Sequence, residues 1–140
     1  MPNPEAGDRH QVAALPFRPT PSGAIEMLLI TSRETGRFVI PKGWPVKRLS
    51  DAEAAAKEAF EEAGVVGKIK RQPIGDYVYW KRLERSFELL RVDVYPLEVQ
   101  KHHAEWPEKN ARQCRWLPAA DAALLVVEPG LSALHRTFAV

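Results

Sequence analysis

The chain has 140 residues, 45% of them hydrophobic and 27% charged, which is typical of one globular domain. Its formal net charge of +2 is too small to favour wholesale binding to nucleic acid or to a membrane surface. A single cysteine, Cys114, excludes an internal disulfide and suits a reducing compartment. No apolar run approaches the length of a bilayer span, and residues 1–10 lack the apolar segment of a secretory signal. The sequence therefore predicts a cytoplasmic location.

The first third of the chain is predicted to form strands separated by turns. Residues 1–10 are polar and contain two prolines, so we expect a flexible tail followed by one domain over residues 11–140. Three apolar runs are strand-like: 11–17, 25–32 and 37–40. Pro41 ends the third run, and a loop begins at the next residue.

A helix is predicted to follow this loop. Ser50 or Asp51 supplies the N-cap, and Ser50 with Glu53 would form a capping box. Gly64 is a natural residue to end the helix, because glycine adopts the left-handed conformation of a C′ position at little cost. An apolar stripe is predicted to pack on the core: Ala52, Ala56, Ala59, Phe60 and Ala63.

Three carboxylates share another face of this helix. At about 100° per residue, Glu58, Glu61 and Glu62 project to the same side. Carboxylates about 6 Å apart at an effective dielectric near 20 repel by roughly 2–3 kcal/mol per pair. Glu61 and Glu62 also oppose the helix dipole in the last turn. One interpretation is a solvated acidic face on which Lys57 forms ion pairs with glutamates at i,i+4 spacing. The other is a site for a hard divalent cation, which prefers oxygen ligands.

The second half of the chain is predicted to add strands and two further helices. Strands are expected just after Val65 and at 76–80, 86–99 and 114–117, with a charged hairpin tip at 81–85 and a polar loop at 101–113. Pro118 is predicted at N1 of a helix over 119–126, and Pro129 opens another over 130–138. The order of elements predicts an α+β domain in which a mixed sheet lies between helices.

Gly43 and the run Lys57–Val65 resemble the Nudix box: Gly, five residues, Glu, seven residues, then Arg-Glu-apolar-any-Glu-Glu-any-Gly-apolar. The spacing from Gly43 to Lys57 matches without an insertion. Two positions depart, because Leu49 stands where the box has its first Glu and Lys57 replaces its Arg. The resemblance implies an α/β/α sandwich and metal-dependent hydrolysis of a phosphoanhydride, with Mg²⁺ or Mn²⁺ as cofactor.

The resemblance also suggests roles for particular residues. The implied metal ligands are Glu58, Glu61, Glu62 and the carbonyl of Gly43, and Lys57 would orient the glutamates. Glu58 and Glu62 are spaced i,i+4, so both can reach one ion. Because Leu49 removes a carboxylate that often helps position water, the acid/base role is predicted to fall outside the box. The candidates are Glu105, Glu108 and Glu98, with Glu105 ranked first.

Basic residues cluster around the loop before the helix. We predict that they clamp phosphates: Lys42, Lys47 and Arg48 in the loop, and Arg33 and Arg37 at the preceding turn. Lys42 is favoured because it lies between Pro41 and Gly43. The plainer interpretation is a set of solvated loop cations. The four histidines are not spaced to pair with carboxylates, so we expect them to be structural or exposed.

Segments on either side of the box resemble one branch of the family in particular. The segments Pro41–Pro45, Glu105–Lys109 and Arg115–Leu117 look like the diphosphoinositol polyphosphate and dinucleoside polyphosphate branch of Nudix hydrolases. That branch implies a polyphosphorylated small-molecule substrate. From the small net charge we expect no membrane partner and do not favour a nucleic acid. An RNA 5′-end pyrophosphohydrolase is a second hypothesis, less favoured because no aromatic-plus-basic stripe is evident. A third is a domain that has lost turnover and senses a phosphorylated ligand, suggested by Leu49 and Lys57.

Overall fold

The computed structural model describes residues 9–138. Of the predicted tail, residues 1–8 lie outside this range, and His10 is the first residue of strand β1. The strands are β1 His10–Pro19, β2 Ile25–Thr31, β3 Phe38–Val39, β4 Lys42–Gly43, β5 Val65–Ile69, β6 Gly75–Arg82, β7 Phe87–His102 and β8 Cys114–Pro118. The helices are α1 Asp51–Ala63, α2 Ala119–Leu125 and α3 Pro129–Thr137, and a 3-10 turn spans Lys109–Ala111.

All eight strands join one mixed sheet. Its main path runs β3-β2-β1-β7-β5, while β4 pairs with β1, β6 with β7 and β8 with β2. The β1–β7 pairing is parallel, and the other pairings between named strands are antiparallel. The predicted α+β class with a mixed sheet is confirmed.

Helices cover both faces of the sheet, and alternate side chains of β1 pack against the helices on each face. Val12 and Ala14 pack with α1 in one buried cluster, whereas Ala13 and Leu15 pack with α2 and α3 in another. Successive side chains of a strand point to opposite faces, so one strand contributes to two cores. The result is the predicted α/β/α sandwich.

None of the helices within residues 9–138 combines the length and the apolar character that crossing a membrane requires.

Local chemistry sets both ends of α1. Ser50 is the N-cap: its Oγ accepts a hydrogen bond from the Glu53 backbone N–H at 3.1 Å, and its own N–H donates to Glu53 Oε1 at 2.9 Å. At the other end Gly64 has φ +74°, the left-handed conformation. A Cβ there would also collide with the Trp106 ring. The predicted capping box and helix end are confirmed.

The buried face of α1 differs from the predicted stripe. Ala54 and Ala55 are fully buried, whereas Ala56 and Phe60 are only partly covered. The buried sector also includes Glu62, which is 6% exposed. Small alanine side chains let the helix lie close to β1 and β4, so the face that carries the carboxylates turns toward the sheet.

Three further differences have tertiary causes. Pro118 ends β8 and is the N-cap of α2 rather than its N1 residue, while Pro129 occupies N1 of α3 as predicted. β7 continues past the predicted end because its last residues pair with β5. The loop at Lys42 contains a two-residue strand because it pairs with β1.

Candidate active site

Gly43 lies directly beneath the acidic face of α1. It pairs with Val12 of β1 in the short strand β4. A Cβ added to Gly43 would collide with the Glu58 carboxylate. Only glycine therefore lets the helix carboxylate approach the backbone at this point. The structure brings together two residues that the box resemblance assigns to a metal site.

Glu62 is a buried acid on the same face. Its burial, together with a hydrogen bond to Glu58, raises the pKa of Glu62 to about 9, although the Arg112 guanidinium opposes this shift. Arg112 Nη2 lies 3.6 Å from Glu62 Oε1. Without a bound cation, burial and the hydrogen bond to Glu58 therefore favour the protonated form of Glu62. The repulsion expected from the sequence is relieved by that proton and by Arg112.

Arg112 is the residue of this site that the sequence analysis missed. Its side chain is 14% exposed, its Nε donates to Glu108 Oε1 at 3.0 Å, and its Nη1 donates to the Thr31 carbonyl at 3.1 Å. The planar guanidinium suits several acceptors at once, so the side chain is fixed in position. The i,i+4 spacing of Glu108 and Arg112 was a sequence signal for their ion pair, but it gave no indication of Glu62.

Backbone contacts hold the loop that carries Arg112 against the end of α1. The His103 N–H donates to the Gly64 carbonyl at 2.8 Å, and the Glu108 N–H donates to the Glu61 carbonyl at 3.0 Å. These bonds satisfy carbonyls that the end of a helix leaves without partners. The β7–β8 loop therefore forms one wall of the site.

Glu61 and Lys57 form an ion pair along the helix. Both side chains are partly exposed, at 32% for Glu61 and 47% for Lys57. The hydrogen bond to Glu61 raises the pKa of Lys57. The pair has ordinary i,i+4 geometry, so Glu61 is less constrained than its two acidic neighbours. Its role as a metal ligand stays a prediction.

A cleft of about 740 Å³ lies beside these carboxylates. It is lined by Arg33, Glu34, Thr35, Lys42, Tyr79, Trp80, Lys81, Arg82 and Arg112. Five of these residues are cationic and one is acidic, which suits a ligand with several negative charges. Arg112 also contacts Glu62, so the cleft and the acidic face of α1 are adjacent.

Lys42 occupies a protected position in this cleft. Its ammonium lies 4.8 Å from the centre of the Tyr79 ring. Burial lowers the pKa of Lys42, while Glu62 and Glu128 raise it. Lys42 is therefore less solvated than an ordinary surface lysine, which strengthens its attraction for an anion that enters the cleft.

The remaining predicted residues lie elsewhere. Arg37, Lys47 and Arg48 are exposed and do not line the cleft. Arg37 donates through Nε to Thr35 Oγ1 at 3.2 Å, and Arg48 has φ +74°, a strained conformation for a residue other than glycine. The Glu105 side chain is 85% exposed and lies 3.1 Å from Lys109 Nζ. The functional roles of these four residues stay predictions.

A second group of ligand-type side chains lies at the other end of α1. Three side chains each bring one possible ligand atom within 4.8 Å of the other two: His10, Asp51 and Asp93. Between residues 9 and 138 it is the only group of three that reaches this proximity. His10 Nε2 is 2.9 Å from Asp51 Oδ2, so the expectation that the histidines do not pair with carboxylates was wrong for His10. The two residues are 41 positions apart, and only the fold brings them together.

The family model of the NUDIX domain matches residues 8–138, almost the whole chain. The chain belongs to the Nudix family. This Nudix chain is 34% identical over 121 residues to Nudix hydrolase 21, chloroplastic, of Arabidopsis thaliana, covering 84% of the chain and 59% of that protein. It is 29% identical over 118 residues to diphosphoinositol polyphosphate phosphohydrolase 2 of Rattus norvegicus, covering 83% and 62%. The chain therefore spans less than two thirds of either relative's length.

A solved structure supports the same fold. The Nudix chain superposes on the C. elegans Ap4A hydrolase with a TM-score of 0.64 at 17% identity, covering 93% of this chain and 95% of that one. The resemblance found in the sequence is thus confirmed by the family match and by the relatives, and the sandwich fold by this structure.

Proposed function

We propose that this Nudix domain hydrolyses a phosphoanhydride bond in a polyphosphorylated small molecule, of the diphosphoinositol polyphosphate or dinucleoside polyphosphate type. The observation that carries the proposal is that two features lie side by side. Glu58, which lies against Gly43, and the buried Glu62 form an acidic face, and a cleft lined by five cations opens beside it. One region suits a divalent cation and the other suits phosphates.

The donor set fits Mg²⁺ or Mn²⁺. Glu58 and Glu62 offer carboxylate oxygens and Gly43 a carbonyl, which are the ligands that hard cations prefer. A raised carboxyl pKa also fits, since a bound cation replaces the proton that otherwise offsets the crowding of these acids. When bound, the ion would neutralise charge on the phosphate oxygens and activate a water molecule.

The chain's own residues would hold and orient the substrate. Arg112, fixed by Glu108 and Thr31, presents its guanidinium between the acidic face and the cleft. Arg33 precedes β3 in the chain and Lys42 follows it. Both line the cleft and would bind the phosphates that are not cleaved. Such fixed cations favour the transition state because they need no reorganisation as charge develops.

The identity of the general base is a separate part of the proposal. Glu105 is the candidate from the sequence, and its exposed carboxylate is free to reorient when substrate binds. Glu108 instead holds Arg112, so we assign it a positioning role. Replacing Glu105 by Gln should remove the acidic limb of the pH–rate profile if Glu105 is the base. A profile that is unchanged would exclude Glu105 from that role.

One observation favours the RNA 5′-end alternative. Trp80 and Phe87 are 65% and 64% exposed on the β6–β7 hairpin, next to Arg82 and Lys81. This is an aromatic and basic surface that the sequence analysis did not find. Exposed rings of this kind can stack on bases of a single strand. A triphosphorylated RNA oligonucleotide therefore belongs in the substrate panel.

The test is metal-dependent phosphate release from a panel of polyphosphates, with and without Mg²⁺ or Mn²⁺. Glu62→Gln should abolish release while thermal melting shows an intact fold. Asp121→Asn, which removes a charge from the exposed side of α2, is the matched control and should leave release unchanged. Tight binding of a polyphosphate without release would instead indicate a sensor. Release that persists in Glu62→Gln would contradict the proposal.

A further inference from the structure

The β6–β7 hairpin exposes an apolar surface on one of its faces. Its strands pair in register, so that Trp80 lies opposite Leu89 and Arg82 lies opposite Phe87. Alternate side chains of a strand project from the same face, and so do side chains that lie opposite each other. Four apolar side chains of this face are largely exposed, and together they form what we call the hairpin face: Val78 (52%), Trp80 (65%), Phe87 (64%) and Leu89 (46%).

The hairpin face is a part of the sheet that α1 does not reach. The helix begins at Asp51, beside Asp93 of β7, and runs toward the last residues of that strand. Leu89 projects to the same side as Asp93, because an even number of positions separates them in one strand. β1 pairs with β7 only from Arg91 onward, so the hairpin extends past both the helix and β1. A strand face in water is usually polar, and an exposed apolar one indicates a partner.

The apolar area of the hairpin face suits a small specific interface. Aromatic side chains present about 150–250 Å² each, so Trp80 and Phe87 together expose roughly 250 Å². Val78 and Leu89 raise the apolar area to about 400 Å². Since interfaces are about 60% apolar, this implies about 650 Å² per molecule and about 1,300 Å² in total. Specific interfaces begin at about 1,200 Å².

The two ends of the hairpin face carry opposite charges. Asp76 near the start of β6 and Arg82 at its end are both exposed, and both project to the same side as Trp80. Neither forms an ion pair with another residue in the range 9–138. A second copy related by a two-fold axis would place its Arg82 against Asp76 and its Asp76 against Arg82. The hairpin face is therefore complementary to itself, as a two-fold interface requires.

The composition of the hairpin face favours a protein partner over a nucleic acid. Rings such as Trp80 and Phe87 can stack on bases, but the aliphatic Val78 and Leu89 beside them cannot. Asp76 repels phosphates, whereas surfaces that bind nucleic acid are rich in cations. A protein surface uses all four apolar side chains and both charges.

We propose that the hairpin face binds a second copy of this chain and forms a two-fold dimer. The apolar side chains lie at its centre, and an ion pair between Arg82 of one copy and Asp76 of the other lies at each end. Trp80 and Arg82 also line the cleft, so the second copy lies at the edge of the candidate active site. The dimer goes beyond the proposed function and does not depend on it.

Sedimentation velocity over about 1 to 300 μM protein tests the dimer. The mass should rise from 15.8 kDa toward twice that value, with a midpoint on the order of 10 μM for an interface of this size. Leu89→Asp places a charge at the apolar centre and should weaken association by about 10-fold or more. Thermal melting checks that this variant is folded. A wild-type protein that keeps the mass of one chain at every concentration would overturn the proposal.

A pair of charge reversals tests the two-fold arrangement itself. Asp76→Arg and Arg82→Asp should each weaken self-association by about 10-fold or more, because each brings like charges together at both ends. An equimolar mixture of the two variants should associate about as well as the wild type, since opposite charges meet at both ends of the mixed dimer. Asp121→Arg reverses one exposed charge on α2, which covers the other face of the sheet, and should leave association unchanged.

The mixture keeps the test decisive if Leu89→Asp does not fold. A mixture that stays monomeric while the wild-type protein dimerises would exclude this arrangement. Equal weakening by Asp121→Arg would attribute the effect to net charge rather than to the hairpin face. A monomeric wild-type protein that binds a single-stranded RNA oligonucleotide, with binding lost in Leu89→Asp, would assign the face to nucleic acid and overturn the proposal.

Discussion

The two ends of α1 carry similar acidic groups in different surroundings. At the N-terminal end, Asp51 pairs with His10, and Asp93 accepts a hydrogen bond from Arg91 at 3.0 Å. The helix dipole favours negative charge there. At the C-terminal end the dipole opposes the charges, and burial raises the pKa of Glu62 to about 9.

The difference shows that crowding of carboxylates alone does not identify a functional site. The N-terminal group brings three ligand atoms within 4.8 Å of one another, yet its charges are matched by neighbours. The C-terminal group includes a buried acid whose pKa is raised by burial, and it lies beside a cationic cleft. Unfavourable electrostatics beside a cleft are the stronger indication of chemistry.

The largest expected effect is a difference in activity between two substitutions, one at each end of α1. Glu58→Gln should reduce metal-dependent hydrolysis by on the order of 1,000-fold, because a bound ion supplies several kcal/mol of transition-state stabilisation. Asp51→Asn should leave hydrolysis within about 2-fold of wild type. Initial rates at saturating Mg²⁺ measure both, and equal losses in the two variants would invalidate the distinction between the ends.

The pH dependence of stability should come from the C-terminal end. The folded-state pKa of Glu62 lies above its ordinary value of 4.5, so the folded protein binds more protons than the unfolded chain between about pH 4.5 and 9. The free energy of unfolding should therefore fall as pH rises through this window, by up to about 1.4 kcal/mol per pH unit.

Urea unfolding at pH 5, 7 and 9 with a chelator present measures this slope. Glu62→Gln should flatten it, since the amide does not titrate. Mg²⁺ should stabilise the wild-type protein more at pH 9 than at pH 5, because the ion competes with the proton. A slope that survives in Glu62→Gln would place the titrating group elsewhere.

Arg112 should matter for stability as well as for activity. Arg112→Ala removes the ion pair with Glu108, the hydrogen bond to the Thr31 carbonyl and the contact with Glu62 in a poorly solvated site, so it should lower the free energy of unfolding by about 3 kcal/mol. Arg112→Lys should recover part of the stability but less of the activity, because lysine lacks the planar fork. If Ala and Lys behaved alike in both assays, the hydrogen-bond geometry would not be important.

The smallest expected effect is the change in stability caused by a substitution at the N-terminal end of α1. Asp51→Asn should lower the free energy of unfolding by about 1 kcal/mol or less, since the lost ion pair and dipole interaction are partly exposed. Thermal melting at low and high salt measures it, and the difference should shrink at high salt. A loss above about 3 kcal/mol would indicate that this cluster has a larger role than the structure suggests.

Sequence reasoning was accurate wherever structure depends on neighbours along the chain. The capping box of Ser50 and Glu53, the end of α1 at Gly64 and the start of α3 at Pro129 follow from local backbone chemistry. It was inaccurate where a distant element decides burial. The helical wheel placed Ala54 and Ala55 outside the apolar stripe, and the sheet beneath α1 buries both.

The sequence by itself determined the family, the α+β order of elements and the helix with three glutamates, because these depend on spacing and local preference. Only the tertiary structure decided which charges meet. Arg112 lies 50 residues after Glu62 in the chain, and His10 lies 41 residues before Asp51, yet each pair meets in the fold. Electrostatic energy depends on distance and burial in three dimensions, and spacing along the chain contains neither.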